Sequence, residues 1–260
     1  MTWIRHVAVV IPARDEAETI EATVDSVEHA RRQLPAGVTS SCVVVVDSSA
    51  DDTGLVIERR RQQHDRGRHS PSTTLVVRVS HQCVGAARSV GCRIALAGAL
   101  YRSSSVWLAN TDADTVVPEH WLTAQLELAG RGVGAVAGTV ELDGDVDAAV
   151  RSRFAAVYEL STDGTHRHVH GANLGVRGDA YLLAGGWRRL HTGEDHDLWG
   201  RLHRATTCVS STSITVRTSA RTVGRAPDGF ARDIARLTDP AAPSCQPSPQ
   251  PPPSLEPTVA

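Results

Sequence analysis

Four short apolar runs, at 6–11, 42–46, 75–79 and 105–109, divide the first half of this chain, and each is followed by a polar turn and then a helix-like segment. Cys42-Val43-Val44-Val45-Val46 is the purest of them. A run that is apolar at every position, instead of every second one, belongs to a strand covered on both faces, and parallel sheets are built from such strands. Between the runs the period changes. Ala17, Ile20, Val24 and Val27 recur at helical spacing, and Pro118 precedes Trp121, Leu122 and Leu126 as a first-turn proline does. The alternation predicts an α/β fold, an open, mostly parallel twisted sheet flanked by helices.

After 133–142 the alternation loosens. Polar loops, a helix over 146–160, a helix over 195–204 and two short β-rich runs at 206–209 and 214–218 are expected there. Beyond Asp239, eight of the 13 prolines lie among Ser, Gln and Ala. That composition cannot build a packed core, so 239–260 is expected to be a disordered, proline-rich tail.

Charge narrows the partners. Twenty-seven basic against 29 acidic residues give a formal charge of −2, too little positive field to grip nucleic acid or anionic lipid broadly. Every one of the 27 basic residues is arginine. The five cysteines, Cys42, Cys83, Cys92, Cys208 and Cys245, are odd in number and widely spaced, with no C-x-x-C pair. They suit a reducing cytoplasm better than a disulfide framework or a zinc site. The apolar run Val7–Ile11 is too short for a signal-peptide core or a membrane span, and no other stretch is long enough to be an integral anchor.

In an open α/β sheet, ligands bind beyond the carboxyl ends of the strands. Here those ends are acidic: Pro12-Ala13-Arg14-Asp15-Glu16 after the first run, Asp47-Ser48-Ser49-Ala50-Asp51-Asp52 after the second, Asn110-Thr111-Asp112-Ala113-Asp114 after the fourth. Carboxylates crowded on one rim repel each other unless a cation or hydrogen-bond donors offset the repulsion. In an extended backbone, residues i and i+2 point the same way, so Asp112 and Asp114 can converge on one hard cation such as Mg²⁺ or Mn²⁺. The plain alternative is that Asp112 caps a helix or stabilises a turn. Farther along, Gly171-Ala172-Asn173-Leu174-Gly175, Gly185-Gly186-Trp187 and Thr192-Gly193-Glu194-Asp195-His196-Asp197 form a second polar block. Asp195 at the head of a helix reads equally as an N-cap or as a general base.

Together these segments resemble the family-2 glycosyltransferases of GT-A fold. Val7 to Glu16 is similar to their strand-P-x-x-N-E segment, and Val43 to Thr53 to their strand-D-D-G-S-x-D-x-T segment. Gly85 to Gly91 resembles G-x-x-x-A-R-N-x-G, Asp112-Ala113-Asp114 their D-x-D, and Gly185-Gly186-Trp187 with Glu194-Asp195 their G-G-aromatic and E-D block. The resemblance implies inverting transfer of a sugar from a nucleotide-sugar, a UDP- or GDP-sugar, to a hydroxyl. The acceptor would be a small or lipid-linked molecule. It implies a GT-A domain over 1–238, with a nucleotide-binding half at about 1–115 and an acceptor-binding half over 116–238. By the same carry-over Pro12, Ala13, Asp15 and Asp47 border the base and ribose, Arg88 approaches the nucleotide, and Asp112, Ala113 and Asp114 meet the diphosphate. Asp114 with Asp112 holds Mn²⁺ or Mg²⁺. Asp195 is the base and Glu194 its neighbour. Asp15 stands in place of the usual Asn, Ser48-Ser49 in place of Asp-Gly, and Ser89 in place of Asn. No Q-x-x-R-W motif or membrane helix of the processive synthases is visible, so a single, non-processive transfer is expected.

Three further features carry open alternatives. His166, His168 and His170 alternate, as a second metal site or an acceptor-lining strand would. Arg221, Arg225 and Arg232 flank a Gly-rich stretch, either as a phosphate-closing loop or as solvated surface. Trp107 and Trp121 are expected in the core, whereas Trp187 offers a sugar-stacking face. A sugar-phosphate nucleotidyltransferase is the nearest rival, weakened by the lack of a Gly-rich loop after the first run. A catalytically idle nucleotide-sugar binder would not need Asp195. A homodimer is left open.

Overall fold

The computed structural model describes residues 3–67, 74–144, 146–157, 164–222, 224 and 230–238. The expected tail over 239–260 and residues 158–160 of the expected helix lie outside them. The element order is β1 (His6–Ala13), α1 (Ile20–Arg32), β2 (Thr39–Asp47), α2 (Thr53–Gly67), β3 (Thr74–Val79), α3 (Val84–Gly98), β4 (Val106–Asn110), β5 (Thr115–Val116), α4 (Trp121–Gly130), β6 (Ala135–Asp143), α5 (Ala148–Val157), β7 (Leu174–Arg177), α6 (Gly178–Leu183), α7 (Glu194–Ala205), β8 (Cys208–Ser219) and α8 (Phe230–Thr238).

The strands form one sheet in the order β3-β2-β1-β4-β7-β6-β8-β5. Its first four strands are parallel, with Val10 opposite Val43 on one side and Asn110 on the other. Because β1 lies between β2 and β4, the chain switches direction across the sheet there, and the turns after these three strands open at one edge. The sheet is mixed beyond that point: β7 is antiparallel to both β4 and β6.

The continuous apolar runs are explained by burial on both faces. Val7, Val9, Ile11, Val44 and Val46 pack with Ile20, Val24 and Val27 of α1 and with Trp121 and Leu122 of α4. Ala8, Val10, Val43 and Val45 point the other way, onto Ala87, Cys92 and Ala95 of α3 and Leu198 and Leu202 of α7. Alternate residues of one strand therefore feed two separate cores. Trp107 and Trp121 are core residues, as expected, each with its indole N–H satisfied: Trp107 donates to Gln125 Oε1 at 2.7 Å and Trp121 to Asn173 Oδ1 at 2.9 Å.

Two expectations need correcting. The β-rich runs at 206–209 and 214–218 are one strand, β8, interrupted where its pairing with β6 jumps from Gly138–Ser211 to Thr139–Thr215. The irregularity is a bulge, which leaves polar residues out of the pairing and hides the continuity of the strand. The segment around Leu174 and Gly175 is the antiparallel strand β7, held by Asn173, whose side-chain amide donates to Thr139 O and Ile214 O, both at 2.9 Å. Asn173 thus ties β6, β8 and α4 together from a fully buried position. Replacing Asn173 by Ala strands these buried groups without partners, and urea denaturation should show a loss of at least about 2 kcal/mol with an unchanged slope.

Candidate active site

The rim turns enclose a cavity of about 1020 Å³ lined by Pro12, Ala13, Arg14, Glu16, Asp47, Arg88, Asp112, Ala113, Asp114, Glu194 and Asp195, among others. Every site residue expected from sequence except Asp15 is among its walls. Asp15 has φ +53°, and its carboxylate accepts the Ala50 N–H at 2.7 Å while its own N–H donates to Ser49 Oγ at 3.0 Å. It therefore stitches the turn after β1 to the turn after β2 from a left-handed backbone.

Asp47 reaches the cavity but is largely committed to structure. Its Oδ1 accepts the N–H groups of His81 and Gln82 at 2.7 and 2.8 Å, and its Oδ2 that of Cys83 at 2.9 Å. Burial alone would raise its pKa; the three backbone donors and Ser48 outweigh that and hold the carboxyl below its usual range. The result is a fixed lead into α3.

From α3, Arg88 enters the floor with 1% exposure. It pairs with Asp112 Oδ1 through Nη2, lies 3.5 Å from Glu194 Oε1 through Nε, and stands over the Trp187 ring at 5.2 Å. Among the described residues its Nε and Nη1 find no hydrogen-bond partner. Buried donors of this kind are costly without a partner, and an anion entering the cavity can supply one. Trp187 is 4% exposed and lies beneath the guanidinium. Buried to this degree and with the guanidinium over one face, Trp187 presents no open face for a sugar to stack on in this arrangement.

Asp112-Ala113-Asp114 is a turn, not an extended stretch: Thr115 N–H donates to Asp112 O at 3.3 Å, and Ser219 N–H to Asp114 O at 3.1 Å. Both carboxylates nonetheless face the cavity. Asp114 is pushed up to about 7, first by burial and then by Asp112, with Arg221 pulling the other way. Arg221, just past β8, contacts Asp114 Oδ2 at 3.1 Å and grips Glu16 at 2.6 and 2.7 Å. Glu16 was not among the expected site residues, and Arg221 was expected only as part of a phosphate-closing loop or as solvated surface. An acidic residue after the first strand was visible, but its partner lies 205 positions away, and the sheet's closure alone brings them together.

Two carboxylates offer hard oxygen donors. Among the described residues no group of three His, Cys, Asp or Glu side chains is placed to hold a metal ion. The chemistry of Asp112 and Asp114 suits Mg²⁺ or Mn²⁺, which are commonly held by one or two carboxylates with substrate phosphates and water completing the shell. His166, His168 and His170 form no such three-ligand group, and their rings stack at 6.4 and 6.3 Å between centroids. His170 lines the cavity, edge-on to Phe230 at 5.6 Å, and burial holds its pKa down at about 4, leaving it neutral at pH 7.

Across the floor, α7 begins after Gly193, whose φ of +71° a side chain would resist. Glu194 is 6% exposed and pushed up to about 7 by burial and by Asp195, against Arg88. Asp195 is not the N-cap; it sits in the first turn, where its Oδ2 accepts the Gly171 N–H at 3.0 Å and its Oδ1 the His196 N–H at 2.8 Å. A Cβ on Gly171 would lie 2.4 Å from Arg88 Nη2. One glycine thus separates the arginine from the aspartate. Of the expected arginine loop, Arg221 and Arg232 line the cavity and Arg225 lies outside the described residues.

Residues 8–181 match the sequence model of Glycosyl transferase family 2. The chain belongs to that family. No curated protein matches it in sequence. Among solved structures it is similar to the mannosyltransferase PcManGT from Pyrobaculum calidifontis in complex with GDP-Man and Mn²⁺, at TM-score 0.63 and 19% identity over 86% of this chain and 59% of that one. It is similar to S. aureus TarS 1-349 in complex with UDP-GlcNAc, at 0.60 and 13% over 89% and 65%. GalNAc-T7 with UDP, GalNAc and Mn²⁺ gives 0.61 and 13% over 90% and 47%. At such identities the shared feature is the fold, the curled mixed sheet and flanking helices of GT-A glycosyltransferases. The chain spans less than two thirds of these relatives. Among the described residues no helix is long and apolar enough to cross a membrane.

Asp47→Asn replaces a charged acceptor of three N–H groups with a neutral one, and should cost about 2 kcal/mol at pH 7 by chemical denaturation. Because the folded carboxyl is held low, this contribution is present above the unfolded value and is lost as pH falls through the folded one. The gap between wild type and variant should therefore close below about pH 4.

Proposed function

We propose that this chain is a metal-dependent, inverting, non-processive glycosyltransferase that moves one hexosyl-type sugar from a UDP- or GDP-sugar to a hydroxyl of a small or lipid-linked acceptor. The reading rests on one observation above all: Asp112 and Asp114 share a cavity with Asp195, and the buried Arg88 pairs with Asp112 and lies beside Glu194, the neighbour of Asp195. The nucleotide half is assigned to about 1–115, with Pro12, Ala13 and Asp47 bordering base and ribose, and the acceptor half to 116–238. The free, widely spaced cysteines Cys42, Cys83, Cys92 and Cys208 favour the cytoplasm as its setting.

Asp112 and Asp114 would hold Mn²⁺ or Mg²⁺, which supplies positive charge to offset what builds on the departing diphosphate. Arg88, with two buried donors unspent, adds a fixed cation on the same side. Asp195 acts as base: its carboxylate takes the acceptor hydroxyl proton as the oxygen bonds to the anomeric carbon. The bond to the diphosphate oxygen breaks, and attack from the opposite face inverts the centre. Gly171 N–H, bound to Asp195 Oδ2, fixes the direction from which the base works. Glu194 turns its carboxyl toward Arg88 and acts as a positioning residue, holding the guanidinium between the two halves.

Product analysis with a panel of nucleotide-sugars, with and without Mn²⁺, tests this directly: release of nucleoside diphosphate that depends on the metal supports the reading, and its absence across the panel opposes it. Asp114→Asn should abolish metal-dependent donor binding, measured by calorimetry. Asp195→Asn should leave donor affinity nearly unchanged while slowing transfer at least about 10²-fold. Normal turnover by Asp195→Asn removes it as the base.

A further inference from the structure

Arg221 occupies the place where a cation on Asp114 would have to act. Its guanidinium forks onto Glu16, Nη1 to Oε2 at 2.7 Å and Nη2 to Oε1 at 2.6 Å, and Nη2 also stands 3.1 Å from Asp114 Oδ2. Glu16 is 5% exposed, whereas the Arg221 side chain, which lines the cavity, keeps 28% of its surface exposed. The segment that carries it is tied to the Asp114 turn through the backbone, by Ser219 N–H to Asp114 O at 3.1 Å and Arg221 N–H to Ser219 Oγ at 3.3 Å. The side chain can therefore change partner while its backbone stays in place.

A divalent ion and a guanidinium on the same partly buried carboxylate repel strongly, since water screens them little there. Either the ion is excluded or Arg221 gives up Asp114. Its exposed edge then faces the space into which a diphosphate enters, and a guanidinium fork suits phosphate oxygens in a way an ammonium does not. Glu16 keeps its hold and limits the movement to a swing about one ion pair.

We propose that Arg221 is an exchange residue: without donor it shields Asp114, and it transfers to the diphosphate when cation and nucleotide arrive together. The proposal rests on the reading of Asp112 and Asp114 as the cation site. It makes the bare cation bind weakly and couples its binding to that of the nucleotide.

The test is Mn²⁺ titration of the full chain, followed by the paramagnetic signal of free Mn²⁺, first without nucleotide and then with UDP or GDP. Arg221→Gln should bind Mn²⁺ alone at least about tenfold more tightly than wild type, and should gain correspondingly less on adding nucleoside diphosphate. Arg236→Gln removes a different cavity arginine and should leave Mn²⁺ affinity unchanged. If losing Arg221 alone strands Glu16 and the variant does not fold, Glu16→Gln with Arg221→Met removes both charges and should shift in the same direction. Equal Mn²⁺ affinity of wild type and Arg221→Gln without nucleotide overturns the exchange, as does equal tightening by Arg236→Gln. No Mn²⁺ binding in any arm, even with nucleotide, or binding to Asp114→Asn as tight as to wild type, overturns the cation site and the exchange with it.

Discussion

Six carboxylates, of Glu16, Asp47, Asp112, Asp114, Glu194 and Asp195, line one cavity, and their mutual repulsion is the constraint to which the rest of the site answers. Two arginines meet it. Arg88 is sunk in the floor between Asp112 and Glu194, and Arg221 bridges Glu16 and Asp114 from the far end of the sheet. Neither arginine neutralises the rim completely. Burial first, and then their acidic neighbours, push Asp114 and Glu194 up to about 7, so their charged forms are costly and a further cation would stabilise them.

The fold makes this crowding possible by dividing labour between its two kinds of pairing. The parallel strands β1, β2 and β4 bring three acidic turns to one edge, at the point where the chain changes direction across the sheet. The lead into the antiparallel strand β7, His170-Gly171-Ala172, lines the cavity and supplies, from Gly171, the backbone N–H that holds Asp195. Strand β8 then returns the chain to Asp114 and delivers Arg221 there.

How much of this can be read from the sequence depends on how local its cause is. The runs at 6–11 and 42–46 and the turns that follow them are legible because burial on both faces writes itself as unbroken hydrophobicity. Strand β7 is not, since four residues with a central glycine owe their conformation to the neighbours on either side. Asp112 and Asp114 do share a site, although the backbone reaches it by a turn and not by the extended geometry that their spacing suggested. The part Asp15 plays in joining two turns is not legible, because a positive φ leaves no mark in the composition. The Glu16–Arg221 pair is invisible to any window shorter than the domain.

Gly171 stands between Asp195 and Arg88, with its N–H on the carboxylate and the guanidinium closing the space where a methyl group would go. The separation of these two charged side chains is thus fixed by a main-chain atom, and side chains elsewhere in the cavity are free to diverge. Substitutions around the walls can reshape the cavity while the gauge between this carboxylate and this guanidinium stays constant.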